Sequence, residues 1–321
     1  MLFHGFYILC TQPLIISFIG NVYPLGNQIF DGSKKYPLPP WFKPKYVLNH
    51  IGGWSVPWHR MGRHKLRQVY YSTQGVANHL LVNAADEEVV RKRYLLRGGH
   101  FSSSLYINEH LYNIENEPKI YDAIYTAQLM AFKRHELARN IKKLMIISYG
   151  GDLHEFCPEL KHADFNRTFL PREELAKRYN QSYAGLCLSA VEGAMFAACE
   201  YLLCGIPVVS TPSKGGRDEF FTSENSLIVP PDAFEIARAV EYWKNHSPDP
   251  KTIRKQTLKQ IHKLRLKYCA YISRLIVEAG GDKISPERLA EIYFLPLEGI
   301  HSRYIKFQDM GNVNLEDYLF S

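Results

Sequence analysis

Short apolar runs of strand length recur along this chain, and from about residue 121 each is followed by a stretch with helical spacing. Apolar runs at 121–127, 144–149, 184–188, 206–211 and 226–229 predict strands, and the segments 132–142, 172–180, 189–204 and 233–245 predict helices. In the last of these Ile236, Val240 and Trp243 share one face. Strand and helix alternate with short connections, which predicts an α/β fold with a doubly wound parallel sheet. Ligands bind such sheets at the carboxyl ends of the strands, so the chemistry should lie there.

The first hundred residues read differently. Residues 1–20 carry no charged side chain, but Thr11, Gln12 and Pro13 break the apolar run. Two buried strands at 6–10 and 14–19 are the favoured reading, and a membrane anchor is the alternative. A signal peptide would want a basic leader and a small-residue cleavage site, and neither is legible. Residues 24–64 are rich in Pro, Gly, Trp and His and predict loops around a strand at 46–51. Apolar runs at 69–72 and 79–83 follow, then a polar helix at 86–96 closed by Gly98 and Gly99. The character changes near 115–118. This gives three regions: 1–118, 119–250 and a basic helical stretch 251–321.

Composition adds limits. Of 321 residues, 46% are hydrophobic and 22% charged, as in an ordinary globular protein with room for two domains. Six cysteines, at 10, 157, 187, 199, 204 and 269, form no Cys-x-x-Cys pair and sit in apolar runs. Reduced thiols in a cytoplasmic protein are expected. No metal-ligand spacing is present, so no metal site and no cofactor are assigned. The net charge of +7 gathers in residues 251–267, with basic residues at 251, 254, 255, 259, 263, 265 and 267 and no acid. A solvated helix face packed by its leucines is the favoured reading, and peripheral contact with an anionic inner membrane face is the other. No nucleic-acid motif accompanies the charge.

The segment 188–207 is the most informative. Ser189 and Glu192 have capping-box spacing, predicting a helix that begins directly after its strand and ends at Gly205 and Pro207. Glu192 and Glu200 would then stand about 12 Å apart along the helix, offset by about 80°. That span fits a sugar ring and the ribose of its nucleotide, with a diphosphate at the amides of the helix start. Gly193 would let a ligand approach the backbone. The competing reading makes Glu192 a cap and Glu200 half of a surface ion pair.

This segment resembles the Glu-x7-Glu signature of retaining glycosyltransferases of the GT-B fold, the large nucleotide-sugar-dependent group 1 (family 4) type. Residues 205–211 resemble that family's next strand, residues 213–219 its Gly-Gly-x-x-Glu loop, and residues 225–230 the strand after it. The resemblance implies two Rossmann-like domains facing a cleft, the first one shortened. It implies that Glu192 contacts the donor sugar and Glu200 the ribose. Gly215 and Gly216 would face the diphosphate, with Glu219 supporting their loop, and Ser189 and Gly193 are further candidates for donor binding. Lys214 and Arg217 read as solvated. The family's Arg and Lys, five residues apart, fall on Gln128 and Lys133. Lys133 fits a phosphate ligand, while Gln128 departs from the pattern and removes one charge. Arg134, the next residue, is a candidate to compensate for that charge, though on a helix it would point about 100° away. Residues 285–321 would brace the first domain.

The implied activity is a metal-independent transfer of a sugar from a nucleotide-diphosphate sugar to a glycan or lipid-linked acceptor. Lys133 and the amides at the start of the Glu192 helix would stabilise the leaving diphosphate. His50, His59 and His100 are candidates for acceptor contact. A non-catalytic nucleotide-sugar-binding or scaffold protein, motivated by Gln128 and the short first half, is the alternative. A nucleotide-sugar epimerase or a phosphorylase on the same fold is a third reading.

Overall fold

The computed structural model describes residues 102–295, apart from 150, 194, 215 and 279, together with the backbone of five strands outside that range. Eleven strands are described: β1 (Gly5–Cys10), β2 (Ile15–Ile19), β3 (Tyr46–Gly52), β4 (Asn78–Leu81), β5 (Tyr121–Thr126), β6 (Leu144–Ile147), β7 (Asp164–Phe165), β8 (Ser182–Cys187), β9 (Val208–Ser210), β10 (Ser226–Ile228) and β11 (Tyr304–Lys306). The helices are α1 (Leu153–Phe156), α2 (Arg172–Asn180), α3 (Phe196–Leu203), α4 (Ala233–Asn245), α5 (Pro250–Glu278) and α6 (Pro286–Phe294). Two compact units divide the chain, Met1–Tyr106 with Lys263–Ser321, and Ile107–His262.

In the first unit the order is β11-β1-β2-β3-β4. Strand β1 runs antiparallel to both β11 and β2, and β2, β3 and β4 are parallel. The strands expected at 6–10, 14–19, 46–51 and 79–83 are present, each within a residue or two of its expected limits. The apolar run at 69–72 and the helix expected at 86–96 lie outside the described residues. Also in this unit, the guanidinium of Arg265 donates to Leu105 O at 2.9 Å and lies 4.7 Å from the Phe294 ring centre.

The second unit is a six-stranded parallel sheet in the order β10-β9-β8-β5-β6-β7. All four residues of β6 are buried, as are the last four of β8 and all of β9. Continuous rather than alternating burial follows from cover on both faces, which a parallel sheet requires. Helix α4 has its expected limits; Asp232 caps it by accepting from the Phe234 and Glu235 N–H groups, and Ile236, Val240 and Trp243 face inward. Helix α3 lies close against β8 because Gly185 has no side chain: a Cβ there would stand 2.2 Å from the Tyr201 ring. Tyr201 is fully buried, and its hydroxyl accepts from the Thr126 N–H at 2.7 Å.

The chain runs outward from β5 through β6 to β7, then returns to β8 on the other flank of β5. The carboxyl ends of β5 and β8 therefore flank the topological switch point, where open α/β sheets bind ligands.

Two sequence expectations are corrected here. The segment 132–142 is not an α-helix; it forms 3-10 turns at Ala131–Lys133 and His135–Ala138, with Arg134 left-handed between them at φ 53°. The helix expected over 189–204 begins only at Phe196. Tertiary bonds take the residues before it: the Lys214 N–H donates to Ala190 O at 3.0 Å and the Glu192 N–H to Lys214 O at 2.9 Å. Residues 190–192 are thus drawn beside the chain that leaves β9, and the capping box cannot form.

Candidate functional site

Three loops meet at the carboxyl ends of neighbouring strands: the loop after β5 carries Gln128, Lys133 and Arg134, that after β8 carries Ser189, Glu192 and Gly193, and that after β9 carries Thr211, Lys214, Gly216 and Arg217. Lys133 and Glu192 are each 5% exposed and form an ion pair between Nζ and Oε1. The other carboxylate oxygen of Glu192 accepts from the Ser189 hydroxyl. Both oxygens are thereby held, which a buried carboxylate requires if it is to stay charged. Backbone shape places Lys133: the Tyr125 hydroxyl donates to its carbonyl at 2.7 Å, and its N–H donates to Met130 O at 2.9 Å.

Arg217, expected in solvent, is 2% exposed. Its Nη1 donates to Ser189 O at 2.7 Å and to Ser189 Oγ at 3.1 Å, and its Nη2 donates to Ser210 Oγ at 2.7 Å and to Thr211 O at 2.5 Å. Asp218 partners its Nε at 3.1 Å. One guanidinium thus ties the loops after β8 and β9, using the fork geometry that lysine lacks. Gly216 precedes it at φ 95°, a conformation that glycine adopts without penalty. Gly215 lies outside the described residues. Glu219 belongs to the 3-10 turn Arg217–Phe220, and its carbonyl accepts from the Gln260 amide at 3.0 Å.

Arg134 completes the network from the β5 side. Its Nε donates to Leu188 O and its Nη2 to Thr211 Oγ1, both at 2.6 Å. Burial, then the nearby Arg217 charge, lower its pKa. Gln128 is held apart, its amide donating to the Tyr149 hydroxyl.

Glu200 sits on α3, and Glu192 precedes that helix, so the two are not on one helix as expected. The Glu200 carboxylate accepts from the Tyr179 hydroxyl at 2.7 Å and from Tyr112. Burial raises its pKa, against the lowering effect of the two hydroxyls and of Arg172. Gly193 is buried in the loop between β8 and α3. His50 lies on β3, where only the backbone is described; His59 and His100 lie outside the described residues.

Among the described residues no group of three His, Cys, Asp or Glu side chains could hold a metal ion, and no helix is long and apolar enough to cross a membrane. Cys157, Cys187, Cys199, Cys204 and Cys269 are buried.

The network thus joins Lys133, Ser189 and Glu192 with Arg134, the candidate compensating charge, and adds Thr211 and Arg217, which the sequence did not mark as site residues. No sequence signal marked Arg217 as buried. The helix on which Arg134 would point away does not form.

Comparison with known proteins bears on the fold. Residues 161–260, which include Glu192, Glu200 and Arg217 but not Lys133, match the family model described as "Glycosyl transferases group 1". A search of curated proteins finds no match. Among solved structures, HepE of Anabaena in complex with UDP aligns at a TM-score of 0.55 and 12% identity, covering 71% of this chain and 72% of that one. TarM of S. aureus aligns at 0.54 and 11%, covering 70% and 49%. The pneumococcal O-GlcNAc transferase GtfA in complex with UDP and GlcNAc aligns at 0.54 and 12%, covering 74% and 53%. The chain spans about half the length of the TarM chain. At such identities the likeness concerns the fold. The protein has the α/β fold of GT-B glycosyltransferases, and over residues 161–260 it is similar to the group 1 glycosyl transferases.

Proposed function

We propose that this protein is a retaining glycosyltransferase that moves a sugar from a nucleotide-diphosphate sugar to a glycan or lipid-linked acceptor. The observation that carries the reading is the buried Lys133–Glu192 pair at the switch point between β5 and β8. A buried pair of this kind seldom adds stability over an apolar pair of the same volume, so its presence in a ligand position favours a functional role. The UDP complexes of HepE and GtfA support a nucleotide-sugar donor by analogy of fold.

In this reading Lys133 neutralises the leaving diphosphate, Glu192 accepts hydroxyl bonds from the donor sugar, and Glu200 accepts from the ribose. Ser189 fixes the Glu192 carboxylate, Gly193 and Gly216 keep the backbone open to the ligand, and Gly215 and Glu219 complete the loop after β9. The bond from the anomeric carbon to the phosphate oxygen breaks as the acceptor oxygen bonds to the same face of that carbon. The acceptor proton passes to the leaving phosphate. Side-chain cations and amides supply the electrostatic stabilisation, without a divalent ion. His50, His59 and His100 are offered for the acceptor side. Work in the cytoplasm completes the proposal, with α5 against the inner membrane face. On α5, Lys251, Lys255, Lys259, Lys263 and Lys267 are all exposed and recur every four residues, about 6 Å apart.

One observation favours a second reading, a non-catalytic nucleotide-sugar-binding protein: Gln128 is neutral and engaged with Tyr149. A thermal-shift panel of UDP-, GDP- and ADP-sugars on wild type and Glu200→Ala, followed by donor turnover with EDTA present, separates the two. A ligand at about 100 times its dissociation constant should stabilise by about 2.7 kcal/mol. A shift with one base that Glu200→Ala loses, with turnover, supports the transferase. A shift without turnover supports the second reading, and no shift with any donor refutes both.

A further inference from the structure

We propose that Arg134 is a second cation for the donor diphosphate, standing in for the charge absent at Gln128; this rests on the donor-site reading above. Its local conformation is the first argument. Arg134 is the single described non-glycine residue with positive φ, at 53°. An L side chain seldom adopts that conformation, and glycine or asparagine takes it more readily. The arginine therefore works against local preference.

The placement of its guanidinium is the second argument. Nε and Nη2 are anchored on Leu188 O and Thr211 Oγ1, at the carboxyl ends of β8 and β9. Nη1 has no hydrogen-bond partner among the described residues, and the side chain as a whole is only half-buried. Two of its nitrogens are thus fixed and the third is available to a ligand, an arrangement suited to a phosphate oxygen.

Charge is the third argument. Arg217 binds the carbonyl of the same Thr211 whose hydroxyl holds Arg134. Two guanidiniums on one residue repel each other. Of the carboxylates around the guanidiniums, Glu192 is committed to Lys133 and Asp218 to Arg217, and the exposed Glu136 acts on Arg134 less than the Arg217 charge does. An added anion relieves the repulsion. A bound diphosphate would supply it beside Lys133, whereas Gln128 can offer only a neutral amide.

The alternative role is structural, a strap between two loops. Three variants separate the roles: Arg134→Gly and Arg134→Asn, both suited to positive φ, and Arg134→Lys, which keeps the charge without the fork. Binding of UDP, GDP and ADP is measured by titration calorimetry, with thermal unfolding in parallel. The expected result is wild-type melting for Arg134→Gly with diphosphate affinity at least about tenfold weaker, and partial recovery in Arg134→Lys. Should Arg134→Gly melt early, Arg134→Asn against Arg134→Lys gives the same comparison. Unchanged affinity without the charge overturns the proposal, as does Arg134→Lys binding no better than the neutral variants. A wild type that binds none of the three diphosphates refutes the donor reading itself, and this proposal with it.

Discussion

Replacing Lys133 with methionine is the most direct test of the buried pair. The side chain keeps its length and loses its charge, leaving the Glu192 carboxylate 5% exposed with the Ser189 hydroxyl as its remaining hydrogen-bond donor. Breaking a buried pair from one side typically costs about 3–5 kcal/mol, because the remaining charge is uncompensated. For a unit of this size each kcal/mol lowers the midpoint by about 2–4 °C, so a fall of roughly 6–20 °C is expected. The double variant Lys133→Met/Glu192→Gln keeps the Ser189 contact, removes the stranded charge, and should recover most of the midpoint. Circular dichroism melts of the two singles and the double give the coupling. A Lys133→Met loss below about 1 kcal/mol, or a double equal to the sum of its singles, would refute a desolvated pair. Diphosphate binding should stay lost in the stable double variant, separating the residue's role in the ligand site from its role in folding.

Three further outcomes are expected. His135 is fully buried between the Tyr125 and Phe156 rings, and burial, with the Lys133 charge assisting, pushes its pKa down to about 4 from 6.5. Its stability contribution is complete above pH 6.5 and lost as pH falls toward 4, roughly 2 kcal/mol by pH 5; His135→Leu should flatten that part of a melting-versus-pH curve, and an unchanged slope would count against the buried neutral ring. Gly185→Ala would push a Cβ to 2.2 Å from the Tyr201 ring and should cost about 1–3 kcal/mol or more in a denaturant titration, whereas a neutral substitution would mean α3 moves freely off β8. Wild type should co-sediment with vesicles containing phosphatidylglycerol but not with pure phosphatidylcholine; at about 1 kcal/mol per lysine, Lys255→Ala/Lys259→Ala should weaken the binding about thirtyfold, and an unchanged partition would return these lysines to water.

The parts of the fold legible in the sequence are those whose burial is set by one element at a time. Helix α4 was bounded to the residue because Asp232 caps it and Ile236, Val240 and Trp243 mark one face. Helix α2 kept its limits, with acids in its first turn and bases in its last. The site residues are harder because their conformations are set across strands. Ser189 and Glu192 carry the local code of a capping box, yet the bond between their side chains holds a carboxylate toward Lys133, 59 positions earlier in the chain. Residues 190–192 spend their backbone bonds on Lys214, which no local pattern reveals. The same holds for Arg217, which reads as a surface residue in a Gly-Gly loop but fits between Ser189, Ser210 and Thr211 only after β8 and β9 are paired. Propensity is a weak prior that tertiary contacts override, and here the override falls on the loops at the switch point. A helix starting at Ser189 would carry Glu192 along the axis of its own element. The extended segment instead lets the residue answer to strands on both sides of it, and a site assembled from three loops needs its carboxylate placed in that way.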